Sequence, residues 1–188
     1  MKNVTVYLGS RTGKSEIFCN NAYKIGKLLS LNNIGVIYGG ASVGTMRALA
    51  EGVVENGGQL LGVFPKGFKG KKDNAAKGID VQERRFANFI ETKDLDERIR
   101  IMEEKSDGCI ILPGSCGTLH EFISYHEGHD LGQHSKPIAI LNTNGYYNPL
   151  IALIDNMIEN GFASREEFGY IIVEDTPEKL VERISKEL

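Results

Sequence analysis

C-I-I-L-P-G-S-C-G-T-L-H-E, Cys109 to Glu121, runs from an apolar stretch through a turn of proline and small residues into the first turn of a helix. Strand, glycine turn and helix in that order make half of a parallel βαβ unit. The same order occurs twice upstream. Val4–Leu8 leads into Gly9-Ser10 through Gly13, and Gly35–Tyr38 leads into Gly39-Gly40-Ala41-Ser42-Val43-Gly44. Further β-rich runs stand at Leu60–Phe64, Phe86–Ile90, Pro137–Leu141 and Tyr170–Val173, recurring between helical patterns except across the irregular stretch from Pro65 to Asp80. Alternation of this kind predicts an α/β sandwich around a mostly parallel sheet of about seven strands.

The helical stretches carry their apolar residues at intervals of three and four. Phe18, Ala22, Ile25 and Leu29 form one stripe, and Val43, Met46, Ala50 and Val53 another. Both read as core. Asp94 to Lys105 turns Leu95, Ile99 and Met102 inward, with Arg98 at the edge of that stripe. Asn148-Pro149 opens a helix as N-cap and N1, Asn160-Gly161 stops it, and Thr176-Pro177 opens the last one. With 188 residues and no linker, repeat or low-complexity tract, residues 1–188 are expected to form one domain.

Composition narrows the partners. Hydrophobic residues at 41% and charged residues at 25% are the balance of a globular chain, and a formal net charge of -3 offers nucleic acid or an anionic membrane no general attraction. No segment approaches the apolar length of a membrane span, and the N-terminus runs into a strand without a signal core. Cys19, Cys109 and Cys116 are odd in number and lack a C-x-x-C pairing, so reduced cytosol is the expected compartment. Lys66, Lys69, Lys71, Lys72 and Lys77 crowd the stretch from Pro65 to Asp80, which reads either as a solvated loop or as a flap over an anion.

In an open parallel sheet, ligands collect where the strands end and the glycine loops begin. Each of the three loops precedes a helix and can aim backbone N–H groups and a helix dipole at a phosphate. None is a known nucleotide fingerprint. Gly9 and Gly13 enclose three residues where a Walker A loop needs four, and Gly39-Gly40 to Gly44 is not G-x-G-x-x-G. Thr118-x-x-Glu121 has the spacing of a capping box, in which glutamine would serve as well as glutamate. That box leaves Pro113-Gly114-Ser115 and Gly117 unexplained. Arg98 alone reads as a surface arginine or as a ligand clamp. His126 and His129 are three apart with Asp130 adjacent, which misses the H-E-x-x-H spacing of a zinc site.

Arg98-x-x-x-Met102 followed by Leu112-Pro113-Gly114-Ser115-Cys116-Gly117-Thr118-Leu119-His120-Glu121 resembles the signature of the Lonely Guy family. These are cytokinin riboside 5′-monophosphate phosphoribohydrolases, often mislabelled lysine decarboxylases. The family pattern is P-G-G-x-G-T-x-x-E with an upstream R-K-x-x-x-M. The likeness continues through Gly9-Ser10, Tyr38-Gly39-Gly40, Lys136-Pro137, Asn144-Gly145-Tyr146-Tyr147 and Glu159-Asn160-Gly161-Phe162. Ser115 stands where the family has its second glycine, Ile99 where it has lysine, and Tyr125 to Asp130 where many members carry tryptophan and glutamine.

The resemblance implies a Rossmann-like fold, commonly dimeric, that hydrolyses the N-glycosidic bond of an N6-modified or other purine nucleoside 5′-monophosphate. It implies Glu121 as the carboxylate facing the developing cation and Arg98 as a clamp on the ribose or phosphate. Gly114, Ser115, Gly117 and Thr118 would hold the phosphate, with Gly9, Ser10, Gly39 and Gly40 lining the remainder. It implies no metal or organic cofactor and makes Cys116 a bystander. The rival expectation is a non-catalytic nucleotide carrier or sensor, which would have no need of Glu121; nothing in the sequence marks a Schiff-base lysine.

Overall fold

Residues 1–66 and 87–188 are described by a computed structural model. The lysine-rich segment therefore lies, beyond Lys66, outside the described residues. Seven strands, β1 (Asn3–Tyr7), β2 (Gly35–Tyr38), β3 (Leu60–Pro65), β4 (Ala87–Thr92), β5 (Gly108–Ile111), β6 (Ile138–Leu141) and β7 (Ile172–Glu174), form one sheet in the order β4-β3-β2-β1-β5-β6-β7. Every pairing is parallel. Among the described residues seven α-helices connect or follow them: α1 (Ile17–Leu31), α2 (Gly44–Val54), α3 (Leu95–Glu104), α4 (Cys116–Asp130), α5 (Asn148–Glu159), α6 (Arg165–Phe168) and α7 (Pro177–Glu187). The architecture is a Rossmann-like three-layer sandwich.

Strand side chains alternate between two cores, as a sheet covered on both faces requires. On β1, Val4 and Val6 join the core under α1, α2 and α7, whereas Tyr7 joins the opposite core with Met102 of α3 and Phe122 and Tyr125 of α4. Ile110 and Ile111 of β5 divide in the same way. Each such fully buried aliphatic side chain contributes about 2 kcal/mol of transfer free energy.

Several local expectations shift. Val43, Met46 and Phe18 are only partly buried and Leu95 is half exposed, whereas the rest of the expected stripes is buried: Ala22, Ile25 and Leu29 on α1, Ala50 and Val53 on α2 with Leu49 added, and Ile99 and Met102 on α3. The N-cap of α5 is Tyr147, so Asn148 is already helical. Asn148 Oδ1 instead accepts a hydrogen bond from Asn142 Nδ2 at 2.8 Å. α6 is an unforeseen single turn, closed by a reciprocal capping box between Ser164 and Glu167.

The histidine-rich end of α4 packs on aromatic rings, and no group of three potential metal ligands occurs among the described residues. His126 stacks on Phe168 at 4.4 Å between ring centroids and shares a 2.9 Å hydrogen bond between Nδ1 and the Tyr170 hydroxyl. His129 stacks on Tyr170 at 3.6 Å. Burial holds His126 below the ordinary imidazole value; nearby Asp130, Glu167 and Glu127 oppose this, and His129 reinforces it. Burial lowers His134 as well, with Lys136 and His129 adding to the effect.

A depressed histidine takes up its proton more readily in the unfolded chain, so this stability is complete above the unfolded value of about 6.5 and declines as pH falls below it. The melting temperature is therefore expected to drop between about pH 7.5 and pH 5.5, and less steeply in His126→Phe. Parallel melting curves for the two proteins would contradict that origin.

Candidate active site

Strand order reverses between β1 and β5, and the two helices leaving those strands depart to opposite faces of the sheet. The crevice between them is where an open α/β sheet binds ligands. Three hydrogen-bonded or close-packed contacts join the loops there. Gly9 N–H donates to the Pro113 carbonyl at 3.2 Å, and Thr45 Oγ1 in the first turn of α2 donates to the Gly9 carbonyl at 2.6 Å. Gly44 has φ +55°, and a Cβ there would lie 2.5 Å from the Ser10 carbonyl oxygen. Only glycine permits both that backbone and that approach.

α4 begins three residues earlier than a Thr118 N-cap would require. Ser115 is the N-cap, in extended backbone at φ -112°, and no side chain caps the helix. Thr118 is thus the third helical residue and Glu121 the sixth, so the expected capping box is absent. The consequence is chemical: the first N–H groups of α4 keep no side-chain partner, and Glu121 is released from the helix end. The Ser115 backbone is ordinary for a serine, so its departure from glycine strains nothing. Gly114 is constrained differently, since a Cβ there would meet Thr118 Oγ1 at 2.0 Å.

Glu121, 5% exposed, turns from the second turn of α4 toward α3 and forms an ion pair with the Arg98 guanidinium. Arg98 is reached through an N-capped helix: Asp94 Oδ1 accepts the Glu97 N–H at 2.8 Å. Its side chain is 11% exposed, and its Nε has no hydrogen-bond partner among the described residues. Burial pulls the guanidinium below its usual value, with Tyr7 opposing. An unpartnered buried donor beside a carboxylate is a group waiting for an acceptor.

A cavity of about 420 Å³ opens on this pair. It brings together Arg98 and Glu121 with Gly9, Ser10, Gly39, Ser115, Gly117 and Thr118. Gly114 lies instead on a neighbouring cavity of about 520 Å³, on the other side of Gly9, Ser10 and Ser115. Gly40 lines neither; it is buried, and a Cβ there would sit 3.0 Å from the Phe64 ring. Leu8, Met46, Leu95, Ile99 and His120 also line the first cavity. Periodicity assigned Met46 and Leu95 to the core; their places just after a glycine loop and at a helix start were the available signal.

The family model described as "Possible lysine decarboxylase" matches residues 46–184. A probable cytokinin riboside 5′-monophosphate phosphoribohydrolase of Oryza sativa subsp. japonica is 35% identical over 185 residues, covering 98% of this chain and 72% of the relative. A cytokinin riboside 5′-monophosphate phosphoribohydrolase of Arabidopsis thaliana is 34% identical over 97% of this chain and 81% of its own. One from Rhodococcoides fascians is 32% identical over 92% and 83%. Among solved structures, a molybdenum cofactor binding protein from Rippkaea orientalis superposes with TM-score 0.69 at 22% identity, covering 99% of this chain and 97% of its own. The molybdenum cofactor carrier protein of Chlamydomonas reinhardtii gives 0.70 at 18%, with 98% and 96% covered. At those identities the structural likeness concerns the fold alone.

Removing one partner of a buried ion pair strands the other, at a cost of roughly 3 kcal/mol. Arg98→Ala is expected to lose about that much unfolding free energy in urea, and a double variant, Arg98→Met with Glu121→Leu, to recover most of it. A loss below about 0.5 kcal/mol in Arg98→Ala would contradict the pairing.

Proposed function

Because the chain belongs to the cytokinin riboside 5′-monophosphate phosphoribohydrolase family, we propose that it hydrolyses the N-glycosidic bond of a purine nucleoside 5′-monophosphate, N6-modified adenine included, to free base and ribose 5-phosphate. The observation that carries the reading is the buried Glu121–Arg98 pair at the wall of a cavity whose rim is made of glycine loops and the open start of α4.

Cleavage of this bond sends its electron pair out with the base, which takes up a proton, and leaves positive charge on C1′ and the ring oxygen. A fixed carboxylate held in a dry wall stabilises that charge far better than one in water. Glu121 fills this role and accepts a proton from the water that attacks C1′. Arg98 pairs with the carboxylate in the empty site, and its fork then hydrogen-bonds the ribose or phosphate oxygens when substrate enters. The phosphate lies against the first N–H groups of α4, with the Ser115 hydroxyl and Thr118 beside them and Gly9, Ser10 and Gly39 opposite. Leu8, Met46, Leu95 and Ile99 offer apolar contact to the base. A carrier of the same fold would gain nothing from burying a carboxylate beside an anionic ligand, and no lysine lines the cavity among the described residues.

The active form in this proposal is a homodimer in the cytoplasm. Leu119 and Ile123 lie one turn apart on α4 and are exposed, next to the mouth of the cavity; Leu131, Leu153 and Phe162 are exposed as well. α5 buries none of its residues within the protomer despite its apolar sequence. A second copy of the chain covering this surface would account for both features. The three cysteines are unpaired, as a reducing compartment keeps them, and among the described residues no helix is long and apolar enough to cross a membrane.

Incubation with nucleoside monophosphates is expected to release base from AMP or its N6-modified forms far faster than from adenosine, read by chromatography; equal rates would sink the phosphate cradle. Glu121→Gln is expected to reduce turnover by roughly 10²–10³-fold while remaining folded, although less stable than the wild type because Arg98 loses its counter-charge. Near-normal release of ribose 5-phosphate by that variant would refute the catalytic carboxylate. Ile123→Glu is expected to shift the light-scattering mass from dimer to monomer.

A further inference from the structure

The turn Pro113-Gly114-Ser115 is held by its carbonyls in a way the chemistry above does not use. Three successive carbonyls are each engaged by a donor. The Tyr147 hydroxyl donates to Leu112 O at 2.7 Å, Gly9 N–H donates to Pro113 O at 3.2 Å, and the Tyr146 hydroxyl donates to Gly114 O. No peptide in the described chain is cis, so in each unit the carbonyl and the following N–H point in opposite directions. Fixing the Gly114 carbonyl on Tyr146, on the side of the neighbouring cavity that both residues line, therefore aims the Ser115 N–H the opposite way. Neither the Gly114 nor the Ser115 N–H has an acceptor among the described residues.

The two tyrosines are themselves fixed. They follow a 3₁₀ turn, Thr143–Gly145, in which Asn144 has φ +52° and Gly145 φ +70°. Asn142 Oδ1 accepts the Tyr147 N–H at 2.8 Å, and Thr143 Oγ1 accepts from Asn21 Nδ2 of α1 at 3.0 Å. The Tyr146 ring meets Tyr147 edge-on at 5.0 Å and Phe18 of α1 edge-on at 5.9 Å. Phe18 in turn lies under Gly13, where a Cβ would come within 2.7 Å of the ring. Tyr146 thus connects the loop after β5 with the loop after β1.

We propose that Tyr146 is a positioning residue for the phosphate: its hydroxyl holds the Gly114–Ser115 peptide with the carbonyl turned out and the N–H turned in. Without that hydroxyl the peptide is free to rotate, and rotation would point a carbonyl dipole at an anion. The tyrosine touches no reacting atom and acts through the backbone. The inference rests on the phosphoribohydrolase reading only for the identity of the anion.

Tyr146→Phe keeps the ring contacts and removes the hydroxyl. Its KM for AMP is expected to rise roughly fivefold, with kcat within about twofold of wild type, and inhibition by ribose 5-phosphate to weaken by the same roughly fivefold factor. Melting temperature and KM for adenosine should not move. Unchanged KM and unchanged ribose 5-phosphate inhibition would overturn the proposal, as would a fall in kcat at constant KM. Calorimetric binding of ribose 5-phosphate to both proteins separates the two readings. Base release absent from the wild type would refute the hydrolase, while a ratio of ribose 5-phosphate dissociation constants near one would refute the role of Tyr146.

Discussion

The handedness of a parallel crossover governs this molecule. Right-twisted strands accept their connecting helices on one side only, so a chain that builds its sheet leftward from β1 and rightward from β5 must send α1 and α4 to opposite faces. The gap between their first turns follows from that rule and from no particular side chain. It also decides which elements can meet there. α3 must cross from the far edge strand β4 to β5, and this lays Arg98 over the same face as α4. Glu121 and Arg98, distant in sequence terms from a shared helix, become partners because the topology leaves α3 nowhere else to go.

Glycine-loop contacts then set the distances. With Gly9 bonded to both Pro113 and Thr45, and Gly44 packed on Ser10, the loops after β1, β2 and β5 behave as one piece of backbone. Loops are ordinarily the variable part of a fold. Here the loop cluster is the fixed part, and its walls, where Met46, Leu95 and Ile99 offer apolar surface, are what side-chain exchange can reshape without disturbing the backbone.

Strand-level organisation was legible because each run was short and β-rich and most were bounded by glycine or proline; β2 ends at Tyr38 in both readings, and β1 and β7 slip by one or two residues at ends where fraying is normal. The helix register was less legible. Thr118-x-x-Glu121 and Ser164-x-x-Glu167 carry the same pattern, yet only the second forms a capping box. Local spacing cannot distinguish them, because the difference is tertiary: Arg98 draws Glu121 away, whereas among the described residues no arginine or lysine pairs with Glu167. Phe18 and Leu95 were misassigned for a related reason, since a residue lining a cleft and one filling a core share a periodicity and differ only in what lies opposite.

Ser115 has a bearing on how such chains are found. Its φ of -112° lies in the region open to every L-residue, so the position demands a small side chain at most and not the absence of one. Gly114, one residue earlier, tolerates no Cβ, because Thr118 already fills that space. The paired glycines of the pattern are therefore unequal, one dictated by contact and the other replaceable. A search string that insists on both would pass over sequences with intact architecture, whereas one that fixes Gly114, Thr118 and Glu121 and leaves position 115 open would retain them.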